Sequence, residues 1–314
     1  MISVVVCTYN RAPMLRKMLD GFFAQTCLDH VEHEIIVVDN NSSDETAQVV
    51  KALKNRPTLR YVFEARQGLC AARNRGIAET GGDVVAFLDD DVIVDPQWLE
   101  HLERSFAETS AAVVGGGSYL IFEGKRPDWL GPGLHNMLAE VNLGTIRRVV
   151  PGGKGLFGLN LAFRRSALQR AGGFDENLDR RGKGLLGGGD TAALRSIARA
   201  GLTIVYDPDA VVGHMIPPDR MQWEHIKKQA HAMGISLAAA AEPGSFIVRL
   251  ARLLRSTLAV IVIALAFAVW RVFRGDAHES RAAMRKAITM SACLVGHWRA
   301  LLRPRKAQLT HPRI

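Results

Sequence analysis

Three consecutive carboxylates, Asp89, Asp90 and Asp91, close an apolar run that begins at Val84. The run is short and partly β-branched, and Gly81-Gly82-Asp83 precedes it as a turn. It therefore reads as a buried strand. The acids stand where that strand leaves its sheet, and open α/β sheets bind ligands at the carboxyl ends of their strands. Three adjacent acids repel one another, so something should offset their charge. A hard divalent cation bridging to phosphate oxygens would do so, since Mg²⁺ is commonly held by one or two carboxylates plus substrate phosphates. The competing reading is a solvated acidic turn that caps the helix near Pro96 and Trp98. The buried strand feeding directly into the acids favours the metal.

An alternating chain delivers these acids. Residues 2–7 read as a buried strand, and 13–25 as a helix with Leu15, Met18, Leu19 and Phe22 on one face. Strands at 34–38 and 59–63 and helices at 46–53 and 68–80 complete the alternation. The polar loop 39–45 offers several helix N-caps. This β-α-β-α-β-α-β order predicts a parallel, Rossmann-like sheet. Neither Gly-x-Gly-x-x-Gly nor a Walker-type Gly-Lys-Ser/Thr follows the first strand, so the dinucleotide and P-loop fingerprints are missing. Further on, the pattern predicts a helix at 98–108 and a strand at 112–122 interrupted by Gly115-Gly116-Gly117. A strand at 157–164 and a helix at 166–171 follow. After a helix at 190–200 come two short strands, 203–206 and 210–212, then a helix at 222–241. The stretches 124–155 and 180–189 read as a substrate loop region and a mobile glycine-rich loop, the places where specificity would sit.

Charge is unevenly placed along the 314 residues, of which 48% are apolar and 23% charged, enough for a substantial core. The formal net charge is +9, yet residues 244–314 hold 13 Lys+Arg against 2 Asp+Glu. The basic balance thus belongs to a tail, and the expected division is 1–243 as the catalytic-type domain and 244–314 as a helical appendage. Within the tail, 256–270 carries no charge and would span about 22 Å as a helix. That is short of a bilayer's hydrocarbon core. A second helical pattern at 287–302 is flanked by Arg285, Lys286, Arg303, Arg305 and Lys306. An apolar segment beside a basic, Trp-bearing one fits an anionic membrane surface. Nucleic acid is disfavoured because the apolar stretch would have no role there. The alternative is a helical hairpin packed on the body. The four cysteines form no zinc spacing or disulfide framework, which suggests a reducing setting. The chain enters its first strand at residue 2, so no secretory signal is expected.

Several separated stretches point one way together. They are Ser3-Val4-Val5-Val6-Cys7-Thr8-Tyr9-Asn10-Arg11, the run from Val37 to Thr46, Ala72-Arg73-Asn74-Arg75-Gly76, and Phe87-Leu88-Asp89-Asp90-Asp91. In this order they closely resemble the family 2 glycosyltransferases, inverting enzymes with the GT-A nucleotide-diphospho-sugar transferase fold. The resemblance is dense over 2–95 and looser through Gly158-Leu159-Asn160, the run from Gly172 to Glu176, Gly189-Asp190 and His214. It does not extend into the tail.

The resemblance implies roles for particular residues. Thr8 and Asp39 would contact the base and ribose of the donor, and Arg73 would lie near the nucleotide. Asp89 would face the ribose or a metal, and Asp91 would ligate the metal. His214 would complete that metal site, which suits Mn²⁺ better than Mg²⁺. Asp190 would be the general base that takes the acceptor hydroxyl's proton. Each has a plainer alternative. Asp39 could be a helix N-cap, Arg73 a partner for the acidic turn, Asp190 a cap for a helix starting at Thr191, and His214 a residue bonded to a neighbouring loop. Many members carry Glu-Asp where this chain has Gly189-Asp190. No Gln-x-x-Arg-Trp occurs, which by the same resemblance favours addition of a single sugar over processive synthesis. The expectation is metal-dependent transfer from a nucleotide-diphosphate sugar to a lipid-linked glycan acceptor, in cell-surface or exopolysaccharide synthesis. It would occur at the cytoplasmic face of the inner membrane, with the protein peripheral or holding one short embedded segment. A nucleotidyltransferase would need a glycine-rich phosphate loop after Cys7, which is absent. A catalytically silent membrane scaffold would not need the acids at 89, 91 and 190.

Overall fold

The computed structural model describes residues 1–178, 187–239 and 277–302, with 248, 250, 251, 253–259, 261 and 262 between the last two. The expected alternation is present: β1 (Ile2–Thr8), α1 (Ala12–Phe23), β2 (His33–Asp39), α2 (Thr46–Lys51), β3 (Leu59–Phe63), α3 (Leu69–Glu79) and β4 (Val84–Asp89). β3, β2, β1 and β4 lie side by side, all parallel. β1 is central and buried on both faces, which explains its unbroken apolar run. Its side chains alternate between two cores. Val4 and Val6 join Leu15, Met18, Phe22, Trp98 and Leu102 on one face, and Val5 joins Phe87, Phe163 and Leu194 on the other.

Beyond β4 the sheet is no longer purely parallel. β5 (Val92–Val94), α4 (Trp98–Glu108), β6 (Val113–Phe122), α5 (Pro132–His135), β7 (Arg148–Val149) and β8 (Asn160–Arg164) follow in the chain. After them come α6 (Arg165–Ala171), α7 (Gly189–Arg199), β9 (Ile204–Ile216), α8 (Trp223–Ala239) and α9 (Ala277–Leu302). The sheet order is β3-β2-β1-β4-β8-β6-β9-β5, with β7 on β9. β8 runs antiparallel to both neighbours, so the whole sheet is mixed. The Gly115–Gly117 triplet does not interrupt β6. Pairing with β9 shifts register between Gly116 and Ser118, and the strand continues on both sides. Nor are 203–206 and 210–212 separate strands. β9 runs through Asp207-Pro208-Asp209, where the Asp209 N–H donates to Asp207 Oδ1 at 2.9 Å.

The step from β4 to β5 matters most for the site. The apolar residues after the acids leave β4's neighbourhood and form an edge strand antiparallel to β9. Val92 pairs with His214, and the Met215 N–H donates to the Asp91 carbonyl at 2.8 Å. Register alone therefore brings Asp91 and His214 together across 123 residues of sequence.

A third, smaller core joins Leu130, Leu134, Met137, Ile226 and Ala230, with Ile288 of α9 against it. α9 starts ten residues before the helical pattern expected at 287 and lies along α8. A Cβ on Gly234 of α8 would fall 2.1 Å from the Thr289 carbonyl oxygen and 2.7 Å from the Ala292 Cβ. Only glycine permits that approach. The expected boundary at 243/244, residues 180–186 of the expected loop 180–189 and residues 263–270 of the uncharged segment 256–270 lie outside the described residues.

Candidate active site

The parallel half of the sheet ends at one rim. Thr8 pairs with Asp39 and Cys7 with Asp89, so these strand ends are level. Asp190 in the first turn of α7, Arg73 on α3 and His214 on β9 face the same cleft as Asp89 and Asp91. An adjoining hollow is lined by Thr8, Tyr9, Asn40 and Asp90, and shares Arg11, Leu69 and Asp89 with the cleft. Asp39 lines neither and is buried behind Tyr61.

The three acids are held differently. Asp89 is the most open, with its side chain 37% exposed and Arg73 Nη2 3.5 Å away. Asp90 is buried and accepts from Thr8 Oγ1 at 2.7 Å and Arg11 Nη1 at 3.0 Å. Burial pushes Asp90 up to about 6, against the pull of Arg11 and Thr8. Asp91 is also buried. Its Oδ2 meets Arg11 Nη1 at 2.8 Å and Arg220 Nη1 at 3.0 Å. Burial alone would raise Asp91, yet His214, Arg220 and Arg11 outweigh it and hold Asp91 well below the usual carboxylate range.

The donor set can be tested for a metal on its own chemistry. Asp91 Oδ1 is buried with no hydrogen-bond partner. It faces His214 Nε2 at 3.5 Å. His214 Nδ1 lies 2.7 Å from the Leu138 carbonyl, an acceptor only, so Nδ1 carries the proton and Nε2 presents a lone pair. The unbonded Asp91 Oδ1 and the Nε2 lone pair thus face one space, where Nε2 takes an N–H from Arg220 Nη1 at 3.1 Å that a cation would displace, and a carbonyl orients the imidazole from behind. This fits two ligands of a divalent cation. No group of three or more candidate ligands occurs among the described residues, so the remaining ligands would come from elsewhere.

Arg73 and Asp190 are tied to the same residue. Arg73 Nη2 donates to the Gly158 carbonyl at 3.3 Å, and the Gly158 N–H donates to Asp190 Oδ2 at 2.9 Å. A Cβ at 158 would stand 2.4 Å from Arg73 Nη2, so a side chain there would push the guanidinium from its place. The Arg73 guanidinium also lies 5.2 Å from the Phe174 ring centre, a cation–π contact on the buried side. Asp190 Oδ1 accepts from the Thr191 N–H at 2.7 Å, but α7 begins one residue earlier, so Asp190 lies inside the first turn and is not the cap.

The structure therefore gathers Thr8, Arg73, Asp89, Asp91, Asp190 and His214 around two joined hollows and leaves Asp39 out. Asp39 is not an N-cap either. Its oxygens accept from the Ser42 N–H at 2.8 Å and the Tyr61 hydroxyl at 2.7 Å, while Asp44 receives the Thr46 N–H at the start of α2. Thr8 lines the smaller hollow and its hydroxyl donates to Asp90, which lines it too. The plainer readings each find a contact here: Arg73 lies 3.5 Å from Asp89 of the acidic turn, and His214 bonds the Leu138 carbonyl of a neighbouring loop. Arg11, Asp90 and Arg220 received no role from the sequence. Arg11 was marked only by lying in the loop after β1, and nothing local marks Arg220.

Residues 3–172 match the family described as Glycosyl transferase family 2. Succinoglycan biosynthesis protein ExoM of Rhizobium meliloti is 29% identical over 239 residues, 74% of this chain and 72% of that protein. The glucosyl-dolichyl phosphate glucuronosyltransferase of Haloferax volcanii is 24% identical over 242 residues, 75% of each. The chain spans only 33% of the length of a validoxylamine A glucosyltransferase of Streptomyces hygroscopicus subsp. jinggangensis that it matches at 32% identity over 142 residues, 45% of this chain. Among solved structures, the mannosyltransferase PcManGT of Pyrobaculum calidifontis, in complex with GDP-Man and Mn²⁺, superposes with a TM-score of 0.59 at 22% identity. That match covers 96% of this chain and 86% of that one, and it shows a shared GT-A fold.

Proposed function

The chain belongs to glycosyl transferase family 2, and from that premise we propose that it moves a single sugar, with inversion, from a nucleotide-diphosphate donor to a lipid-linked glycan acceptor. The observation that carries this reading is the shared cleft: Asp190 opens on the same space as the Asp91–His214 pair and Arg220. Inversion needs one carboxylate on the acceptor side. Asp190 accepts the hydroxyl proton as that oxygen attacks the anomeric carbon. The Gly158 N–H holds Asp190 Oδ2 in place. The nucleotide lies in the hollow beside Thr8 and Asn40, with Asp89 toward its ribose and Arg73 behind. Asp39, level with Thr8 at the strand ends, would meet the base once the Tyr61 hydroxyl gives up its carboxylate. Arg11 and Arg220 face the diphosphate and oppose the charge that develops as it leaves.

Asp91 Oδ1 and His214 Nε2 would hold a divalent cation, Mn²⁺ or Mg²⁺, with donor phosphate oxygens as further ligands. When bound, it supplies positive charge against the departing diphosphate. PcManGT, solved with Mn²⁺, lends support by likeness of fold.

The acceptor and location rest on the tail and on the relatives. Leu250, Leu254, Leu258, Ile261 and Val262 are exposed apolar side chains beside the basic residues of the tail. No helix among the described residues is long and apolar enough to cross a membrane. We read this region as lying against an anionic leaflet, at the cytoplasmic face of the inner membrane. The names of the Rhizobium and Haloferax relatives support polysaccharide assembly on a lipid carrier. A thermal-shift screen of UDP-, GDP- and dTDP-sugars, each with Mn²⁺, Mg²⁺ or a chelator, tests the reading. A metal-dependent rise for one donor is expected. No shift with any nucleotide sugar would remove it.

A further inference from the structure

Arg281 and Arg285 lie one turn apart on α9, on the face that packs toward α5 and α8. The rest of that face is apolar or small, with Ile288 against the third core and Thr289, Ala292 and Cys293 buried. The Arg281 guanidinium lies over Trp129 at 4.7 Å and Trp223 at 5.5 Å. Those two rings meet edge to face at 5.6 Å. Arg285 Nη1 reaches Met137 Sδ at 3.6 Å, a weak acceptor. Arg281 Nη1 and Arg285 Nε are buried with no hydrogen-bond partner, and neither side chain meets a carboxylate among the described residues. His135 Nε2, on α5, is buried without a partner as well. Burial lowers Arg285 below the ordinary guanidinium value.

Two cations on the inner face of a helix, with no acid opposite among the described residues, are costly to keep. Packing alone is served better by Leu or Met. An anion with several oxygens resolves the cost, because guanidinium forks match phosphate geometry. The place is specific. Met137, in contact with Arg285, also lines the cleft that holds Asp190. We propose that Arg281 and Arg285 seat the phosphate or diphosphate of the acceptor's lipid carrier, so that the glycan beyond it reaches Asp190. The proposal rests on the transferase reading above and adds to it that the tail forms part of the acceptor site. Trp129 and Trp223 flatten Arg281 and fix its fork, and the exposed apolar residues of 250–262 lie in the same tail, suited to the carrier's chain.

The test uses the full chain in neutral detergent, titrated with farnesyl diphosphate and followed by tryptophan fluorescence, since Arg281 covers two indoles. Saturable binding is expected. Arg281→Gln and Arg285→Gln should each weaken it roughly tenfold or more, the scale of a lost charged hydrogen bond, and Arg285→Lys should fall between. Circular dichroism checks the fold of each variant, and the wild-type titration decides by itself where a variant does not fold. A second arm measures adhesion to phosphatidylglycerol vesicles. Absence of wild-type binding, or unchanged farnesyl diphosphate affinity in both folded Gln variants, overturns the proposal. Loss of vesicle adhesion with farnesyl diphosphate affinity retained also overturns it, and assigns the arginines to bulk phospholipid. The nucleotide-sugar screen fails independently of these outcomes, so the two readings can be told apart.

Discussion

At the scale of single residues, the site is a set of charges that restrain one another. Asp190 has both oxygens on backbone N–H groups, which leaves its remaining lone pairs to face the cleft. Asp190→Asn keeps the size and one of these contacts but removes basicity. Donor affinity should stay nearly normal while transfer falls at least ~10²-fold, the usual scale for a lost general base; initial rates and donor titration read the two apart. Asp91 is a different case. It is the counter-ion of Arg11 and Arg220, so its removal is not silent for the fold. Asp91→Asn should abolish the metal-dependent part of donor binding and also cost roughly 1–3 kcal/mol, because Arg11 is about a third exposed and solvent screens part of the loss. Denaturant melts beside the donor titration check both. Unchanged metal-dependent affinity would sink the assignment of Asp91 to the metal.

At the scale of elements, the parallel half was legible from sequence because each β-α-β unit is local. Buried runs such as Val4-Val5-Val6 announce central strands, and the acids at the end of β4 announce a rim. What escaped was pairing between distant segments. Nothing in Val92-Ile93-Val94 says that it leaves β4 for the far edge of the sheet, and that crossing is what brings Asp91 to His214. The resemblance implied a shared role for both residues, and the register gives the reason that they are neighbours. Asp39 shows another limit: its position at a strand end is legible in the sequence, but the Tyr61 hydroxyl that donates to it from the neighbouring strand is not. A further tie between elements carries a pH signature. Glu34 at the start of β2 accepts from Ser3 Oγ at 2.7 Å and the Gly81 N–H at 2.6 Å, and meets Arg60 at 3.2 Å. Burial would raise Glu34, but these partners hold it below its ordinary value. A carboxylate lowered on folding stabilises above its unfolded value of about 4.3 and loses that contribution as pH falls through the folded value. Glu34→Gln should therefore lower the melting temperature at pH 7, and the gap from wild type should close as the pH drops below about 4.

At the scale of the whole molecule, body and tail are joined more closely than the charge split suggests. Cutting the chain after residue 243 would strip α9 from α8 and expose the third core, so such a fragment should melt well below the full chain. The membrane reading is better tested by leaving α9 in place. Leu254→Glu with Leu258→Glu alters exposed side chains only, so the melting temperature should stay put while adhesion to anionic liposomes falls. For the unaltered protein, high salt should release only part from such liposomes, since screening weakens the Lys/Arg attraction but not apolar burial. Full release by salt alone would remove the apolar contribution.

The approach of α8 and α9 at Gly234 has one more consequence. With no room for a side chain between the backbones, the two helices meet there in direct contact, so a shift of one presses on the other. Three residues of α8, His225, Gln229 and Met233, stand in the cleft wall. A grip on the tail is therefore expected to bear on that wall as well, which donor affinity measured with and without anionic liposomes would read.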